Sequence, residues 1–441
     1  MAAYGLESAH PESAGRKKAK SAMVRDRRTR ILWFSPTPSL FAQNTVRHNG
    51  GGWVASLECL IRTVPEFELG IAFESADRRF QHLENGVHYF PIDANVRLAQ
   101  KLRRKFGIAT ECDALIEHAR RIISQFDPDL IHVFGSESCF GLLSDLIDIP
   151  LIIHMQGSLP AYANARFPPG YGRFDFIRAS RGNPLRLYRL FSNDRAFARR
   201  AKREEAILRG CRHFMGRTEW DRAICAIFNP EATYDYCSEA LRTDFVEETR
   251  CWAPRSGAEI NLVSTLSNPL YKGADLILKT AEVLRKEMGR GVRWRVFGVS
   301  DIAIQQAKTG LQAADWGVEL SGVADSDGIR DALLAADMYV HPSYIDNSPN
   351  SLCEAQVLGV PVVATNVGGI SSLVDPARTG QLVPANDPYM MAWRIAQLKD
   401  DQDLGRELSA NARTVARNRH APEQIRADLT AIYRKYKRDA G

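Results

Sequence analysis

The chain predicts an α/β protein of two domains, each a parallel sheet covered on both faces by helices. Three observations carry this. Short apolar runs that read as strands alternate with helical patterns from residue 30 to about residue 390. A length of 441 residues allows two or three domains with ample core. Met338-Tyr339-Val340, a polar loop, a helical stretch from Glu354, Gly359 and then Pro361-Val362-Val363-Ala364 compose a strand–loop–helix–strand unit. Its polar loop sits at the carboxyl end of a strand, where open α/β sheets bind ligands.

Residues 1–29 are rich in Ala, Ser, Gly and basic residues, which predicts a disordered arm. The first domain, 30–253, opens with a buried strand at Arg30–Ser35. Gly50-Gly51-Gly52-Trp53 follows, then an amphipathic stretch with Val54, Leu57, Leu60 and Ile61. This is not Gly-x-Gly-x-x-Gly, so no dinucleotide is implied. Gly51 and Gly52 would let the backbone approach a ligand, and a plain turn between elements reads equally well. Further strands are expected at 69–73, 87–90, 130–134 and 151–154, with a helix over 114–125. Residues 157–200 break the alternation. Tyr188, Phe191 and Phe197 interleave with Arg189, Arg195, Arg199 and Arg200, either as an interfacial amphipathic segment or as a packed helix with a solvated basic face. His213–Thr218 reads as a strand running into a loop, with a helix starting at Glu219.

The second domain, 254–418, has strands at 260–264, 294–297, 318–320, 338–340 and 362–364. A helix follows Tyr271-Lys272-Gly273, and another is capped around Ser326 or Asp327. Residues 380–388 lead into a helix. The segment 419–441 contains a last helix over 422–436, with Ile425, Leu429, Ile432, Tyr433 and Tyr436 at helical spacing.

The apolar fraction of 45% and charged fraction of 25% are those of an ordinary globular protein. No apolar run approaches the ~18 residues of a membrane span, and no secretory signal is expected. The eight cysteines are scattered without short paired spacings, which argues against a zinc site or disulfide framework and fits a reducing cytoplasm. The net charge of +6 is uneven. Residues 16–30 hold eight Lys/Arg and one acid, and residues 166–203 hold eleven against two. The first run is either a solvated arm or a segment drawn to an anionic bilayer surface. No nucleic-acid motif accompanies it.

The loop and helix of 338–366 present Asp346, seven residues, then Glu354-Ala355, followed by Gly359-Val360-Pro361-Val362-Val363-Ala364. This resembles the donor site of family 4 retaining glycosyltransferases, most strongly over 260–390. The family carries Glu where Asp346 stands, so the acid here is one methylene shorter. The resemblance implies the GT-B architecture: two Rossmann-like domains facing each other across a deep cleft, with the C-terminal helix crossing back to the first domain. It implies transfer of a sugar, with retention, from a nucleotide-diphosphate sugar to a glycan or lipid-linked hydroxyl in bacterial polysaccharide or glycolipid synthesis. The expected setting is the cytoplasm, with attachment to the inner face of the plasma membrane.

Glu354 would hold ribose hydroxyls and Asp346 those of the donor sugar. Backbone N–H groups of Asn350, Ser351 and Leu352, at a helix start, would meet the diphosphate. Lys272 would neutralise the leaving group. The family's second phosphate-binding Arg is missing from Ser264–Asn268, and Arg217 is the candidate to replace it, with a structural salt bridge as its other reading. His154 is the candidate beside the acceptor; a core histidine at a strand end reads equally well. No metal or other cofactor is expected, since Lys and helix dipoles would do the work of a divalent ion. A non-catalytic glycan- or partner-binding relative and a sugar-nucleotide epimerase of the same architecture are the alternatives.

Overall fold

A computed structural model of the chain describes residues 27–41, 52–75, 81–93, 112–179 and 184–438. Gly51 and residues 16–26 of the basic run lie outside them. The first sheet contains β1 (Thr29–Ser35), β2 (Phe67–Ser75), β3 (His82–Glu84), β4 (Val87–Asp93), β5 (Leu130–Phe134), β6 (Leu151–His154), β7 (His213–Gly216) and β8 (Thr233–Tyr236). Their order is β3-β4-β2-β1-β5-β6-β7-β8, parallel except for β3 against β4. The second sheet is wholly parallel: β9 (Ile260–Thr265), β10 (Val292–Phe297), β11 (Val318–Gly322), β12 (Met338–His341), β13 (Val362–Thr365) and β14 (Gln381–Val383). Its order is β11-β10-β9-β12-β13-β14. Strand order reverses between β1 and β5 in one sheet and between β9 and β12 in the other. Each reversal opens a crevice at the carboxyl ends of the strands.

The central strands β5, β6, β12 and β13 are buried at every residue. That is why they appear in the sequence as nearly continuous apolar runs, interrupted in β5 only by His132. The strands that the sequence did not predict, β3, β8 and β14, are all edge strands of three or four residues. Thr233-Tyr234-Asp235-Tyr236, half-exposed, has no apolar signature. β1 starts at Thr29, one residue before the expected boundary.

The helix Pro422–Tyr436 returns to the first domain. Ile425, Leu429, Ile432 and Tyr433 enter the core built by Ile31, Trp33, Leu57 and Ile71. The buried Tyr433 hydroxyl takes a 2.8 Å hydrogen bond from Trp33 Nε1 and lies 2.7 Å from His132 Nδ1.

The cysteines depart from the expectation of no disulfide framework. Cys112 and Cys139 form a disulfide across 27 residues of sequence. Cys112 precedes the helix Asp113–Phe126 and Cys139 opens the turn after β5, and the fold brings their Cα atoms to 5.6 Å. Among the described residues no helix is long and apolar enough to cross a membrane.

Candidate active site

The loop after β12 supplies Asp346 and the helix Asn350–Val357 supplies Glu354. Both carboxylates are buried. Lys272, after β9 on the other side of the reversal, forms an ion pair with Asp346. Gly273 makes this approach feasible. It adopts φ +78°, and a Cβ there would lie 2.0 Å from the Pro342 carbonyl oxygen. Only glycine lets the two loops lie so close.

His341 Nε2 is 2.8 Å from Asp346 Oδ2, and the Asn347 N–H donates to Oδ1 at 3.0 Å. Burial opposes ionisation of Asp346. The Lys272 charge and the His341 hydrogen bond outweigh it and hold the carboxyl well below its usual range. Burial keeps His341 neutral against the pull of Asp346. An ionised Asp346 only accepts, so Nε2 carries the imidazole proton. Nδ1 then faces the Tyr339 hydroxyl at 3.3 Å, which in turn lies 2.8 Å from Ser351 Oγ. A buried polar chain thus fixes both Asp346 and the start of the Asn350–Val357 helix. At that start the Leu352 N–H already donates to the Pro349 carbonyl at 3.0 Å, which removes it from the groups expected to meet a diphosphate. The two preceding residues, Asn350 and Ser351, open the helix.

Glu354 is gripped from the opposite domain. Arg242 Nε and Nη2 each donate to its carboxylate at 2.8 Å, a bidentate pair. Burial raises the Glu354 pKa, opposed by Arg242. Gly52 belongs to this contact, because a Cβ there would meet the Arg242 side chain at 3.1 Å.

Arg217 is buried and pairs with Glu239, and its Nη2 donates to the Met155 carbonyl at 3.3 Å. Glu239 also accepts from Ser348 Oγ at 3.0 Å, so Arg217 borders the Asp346 loop through one carboxylate. It does not meet Lys272 and is neutralised within the fold, the structural salt bridge of its alternative reading. His154 is corrected as well. It is fully buried between Trp53, His132 and Phe134. Neither ring nitrogen has a hydrogen-bond partner, and burial first, then the His132 and Arg217 charges, keeps it neutral. This is a core histidine.

Sequence reading missed Arg242, His341 and Glu239. Arg242 and Glu239 stand together in Glu239-Ala240-Leu241-Arg242, and His341 closes β12, but nothing local tells which acid each will meet. The domains touch at further points. Thr218 Oγ1 donates to Asn347 Oδ1 at 2.8 Å, Lys308 Nζ reaches Asp175 at 2.8 Å, and Tyr162 packs edge-on to Tyr271. Beside Tyr271 a cavity of about 810 Å³ opens between the domains. Residues after β5, β6 and β9 and the helix Pro184–Gly210 line it. Asp346, Glu354, Lys272 and His154 do not.

Residues 258–401 match the family described as Glycosyl transferases group 1. A D-inositol 3-phosphate glycosyltransferase of Paenarthrobacter aurescens is 30% identical over 36% of this chain and 41% of its own length. A putative colanic acid biosynthesis glycosyltransferase of Escherichia coli is 32% identical over 34% of this chain and 39% of its own. The match thus spans about two-fifths of these relatives. Among solved structures, a sucrose-phosphate synthase of Thermosynechococcus elongatus superposes with a TM-score of 0.67 at 16% identity, covering 92% of this chain and 99% of that one. The Anabaena HepE structure with UDP-glucose gives 0.57 at 14%, covering 92% and 99%. The second domain is thus similar in sequence to the group 1 glycosyl transferases, and the two facing parallel-sheet domains have the GT-B fold of these solved structures.

Proposed function

We propose that the chain is a retaining glycosyltransferase that moves a sugar from a nucleotide-diphosphate sugar to an acceptor hydroxyl in bacterial polysaccharide or glycolipid synthesis. One observation carries the reading: Asp346 and Glu354, buried acids eight residues apart on one loop and helix, are each held by a cation at the strand-order reversal facing the other domain. Such acids accept hydrogen bonds from sugar hydroxyls, and Lys272 and Arg242 are cations of the kind a diphosphate needs. In the reaction the bond from the anomeric carbon to the diphosphate breaks. A bond to the acceptor oxygen forms, and the acceptor proton leaves. Negative charge grows on the diphosphate, where a fixed cation contributes most. The enzyme needs no divalent ion.

A panel of nucleotide sugars, screened first by thermal shift and then by turnover, tests this. The expected products are free nucleoside diphosphate and a glycosylated acceptor of unchanged anomeric configuration, with activity preserved in excess chelator. Isomerised sugar nucleotide without release of diphosphate indicates an epimerase. A thermal shift without turnover indicates a binding protein. Either result overturns the proposal.

A second reading places the enzyme at a membrane surface. Phe174 and Tyr188 are each 73% exposed in the basic segment 166–203. An apolar side chain beside cations suits an anionic interface. Co-sedimentation with anionic vesicles at low salt is expected, with release at high salt. Protein left in the supernatant at low salt removes this reading.

A further inference from the structure

The cavity beside Tyr271 is lined by groups of two unlike kinds. One kind is polar and short of partners. Glu137, Gln156 and Ser158 line it, and Gln156 Nε2 and Ser158 Oγ are buried without any hydrogen-bond partner. Ser158 is 1% exposed. Among the described residues no side chain forms an ion pair with the Glu137 carboxylate. Buried polar atoms without partners are costly, so their presence on a cavity wall marks a place where a ligand supplies the missing groups. The other kind is apolar: Phe167, Phe176, Phe197, Leu159, Leu270 and Ile304. These side chains offer nothing to a sugar hydroxyl. Of the two arginines in the lining, Arg166 is already committed to Asp194, and the charge of Arg200 acts on Glu137.

Resting on the transferase reading above, we propose that this cavity takes an amphiphilic acceptor, a glycoside with an apolar aglycone. Its hydroxyls dock on Glu137, Gln156 and Ser158, and its apolar part lies along Phe167, Phe176 and Phe197. The polar groups and the phenylalanines of the helices come from different elements. The polar groups follow β5 and β6, while Phe176 and Phe197 come from the helices Arg173–Ala179 and Pro184–Gly210. A buried acid, Glu204, braces the polar wall. It accepts from Ser136 Oγ at 2.7 Å and from the Leu159 N–H at 2.9 Å, tying the two loops together.

Calorimetric titration of the full chain with methyl and n-octyl β-D-glucopyranoside, both below the micellar concentration, tests the assignment. The octyl glycoside is expected to bind at least about tenfold tighter. Phe176→Ala and Phe197→Ala should each shrink that ratio severalfold. Glu137→Gln should weaken both glycosides by a similar factor and leave the ratio intact. Equal affinity of the two probes in the parent overturns the proposal. So does an octyl advantage untouched by both phenylalanine variants, or octyl binding indifferent to Glu137→Gln. Nucleoside diphosphate release from sugar donors is read on the same protein. If the donor is consumed while the glycosides bind alike, this inference alone has failed. If no donor is consumed, the transferase reading has failed.

Discussion

The two sides of the interdomain space solve opposite problems. On the second-domain side every predicted acid is already paired: Asp346 with Lys272 and His341, and Glu354 with Arg242. On the first-domain side Glu137, Gln156 and Ser158 line a cavity, and Gln156 Nε2 and Ser158 Oγ there lack partners. The difference teaches that preparation for a ligand takes two forms. One is a set of ion pairs that a charged substrate must rearrange. The other is a set of desolvated groups awaiting a neutral one.

The comparison breaks most readily at the ion pair by which the first domain borders the Asp346 loop. Glu239→Ala should strand the buried Arg217 and cost about 3–5 kcal/mol in urea denaturation, because removing one partner leaves a charge without compensation in the interior. Replacing Arg217 with Met in the same chain should recover most of the loss. A small effect of Glu239→Ala would mean that water reaches Arg217.

Lys272→Ala comes next. Turnover should fall about 10²-fold or more, with donor affinity changing less, since the cation acts on charge that develops in the transition state. Single-turnover rates set beside equilibrium titration check this. A loss confined to affinity would make Lys272 a ground-state anchor.

On the unpaired side, Glu204 titrates near pH 7, pushed up by burial from an ordinary value of 4.5 against hydrogen bonds from Ser136 and Leu159. A raised folded-state pKa favours the protonated form. Its contribution to stability is complete below about pH 4.5 and is lost as pH rises through about 7. From pH 5 to pH 8 the parent should therefore lose on the order of 3 kcal/mol relative to Glu204→Gln. Parallel stability curves would show that Glu204 is hydrated.

Glu354→Ala should weaken binding of the cognate nucleoside diphosphate at least ~10-fold by calorimetry. Unchanged affinity would leave Glu354 as a purely structural partner of Arg242. The smallest effect belongs to His154→Phe. Turnover should stay within about twofold, with stability equal or higher by about 1 kcal/mol as two unpaired nitrogens disappear. A large loss of turnover would return His154 to the acceptor site.

How much of this could be read from residues alone follows the same division. Asp346, Glu354, Lys272 and the strands that bear them were legible because a parallel strand buried on both faces and the loop leaving it have fixed local spacings. Arg242 was not legible as the partner of Glu354, because 112 residues separate them and only the closure of one domain on the other joins them. The cavity escaped for a related reason. Its walls come from helices whose arginines and aromatics read equally well as a solvated face. The Cys112–Cys139 bond joins two elements that neither cysteine's neighbours announce. His154 could be placed at a strand end, but its depth depends on Trp53, a hundred residues earlier in the chain.

The Tyr433 hydroxyl, seated between Trp33 and His132, also bears on how the protein is made. The first sheet ends at Tyr236, and its closing helix begins at Pro422, about 190 residues later. At ~5–20 residues per second the ribosome takes roughly 10–40 s to cover that distance. Through that interval the Trp33 and His132 face is synthesised but uncovered, while the second domain emerges and can fold on its own sheet. The domain made first is therefore the one completed last, and it is the one whose nascent chain most needs protection from aggregation.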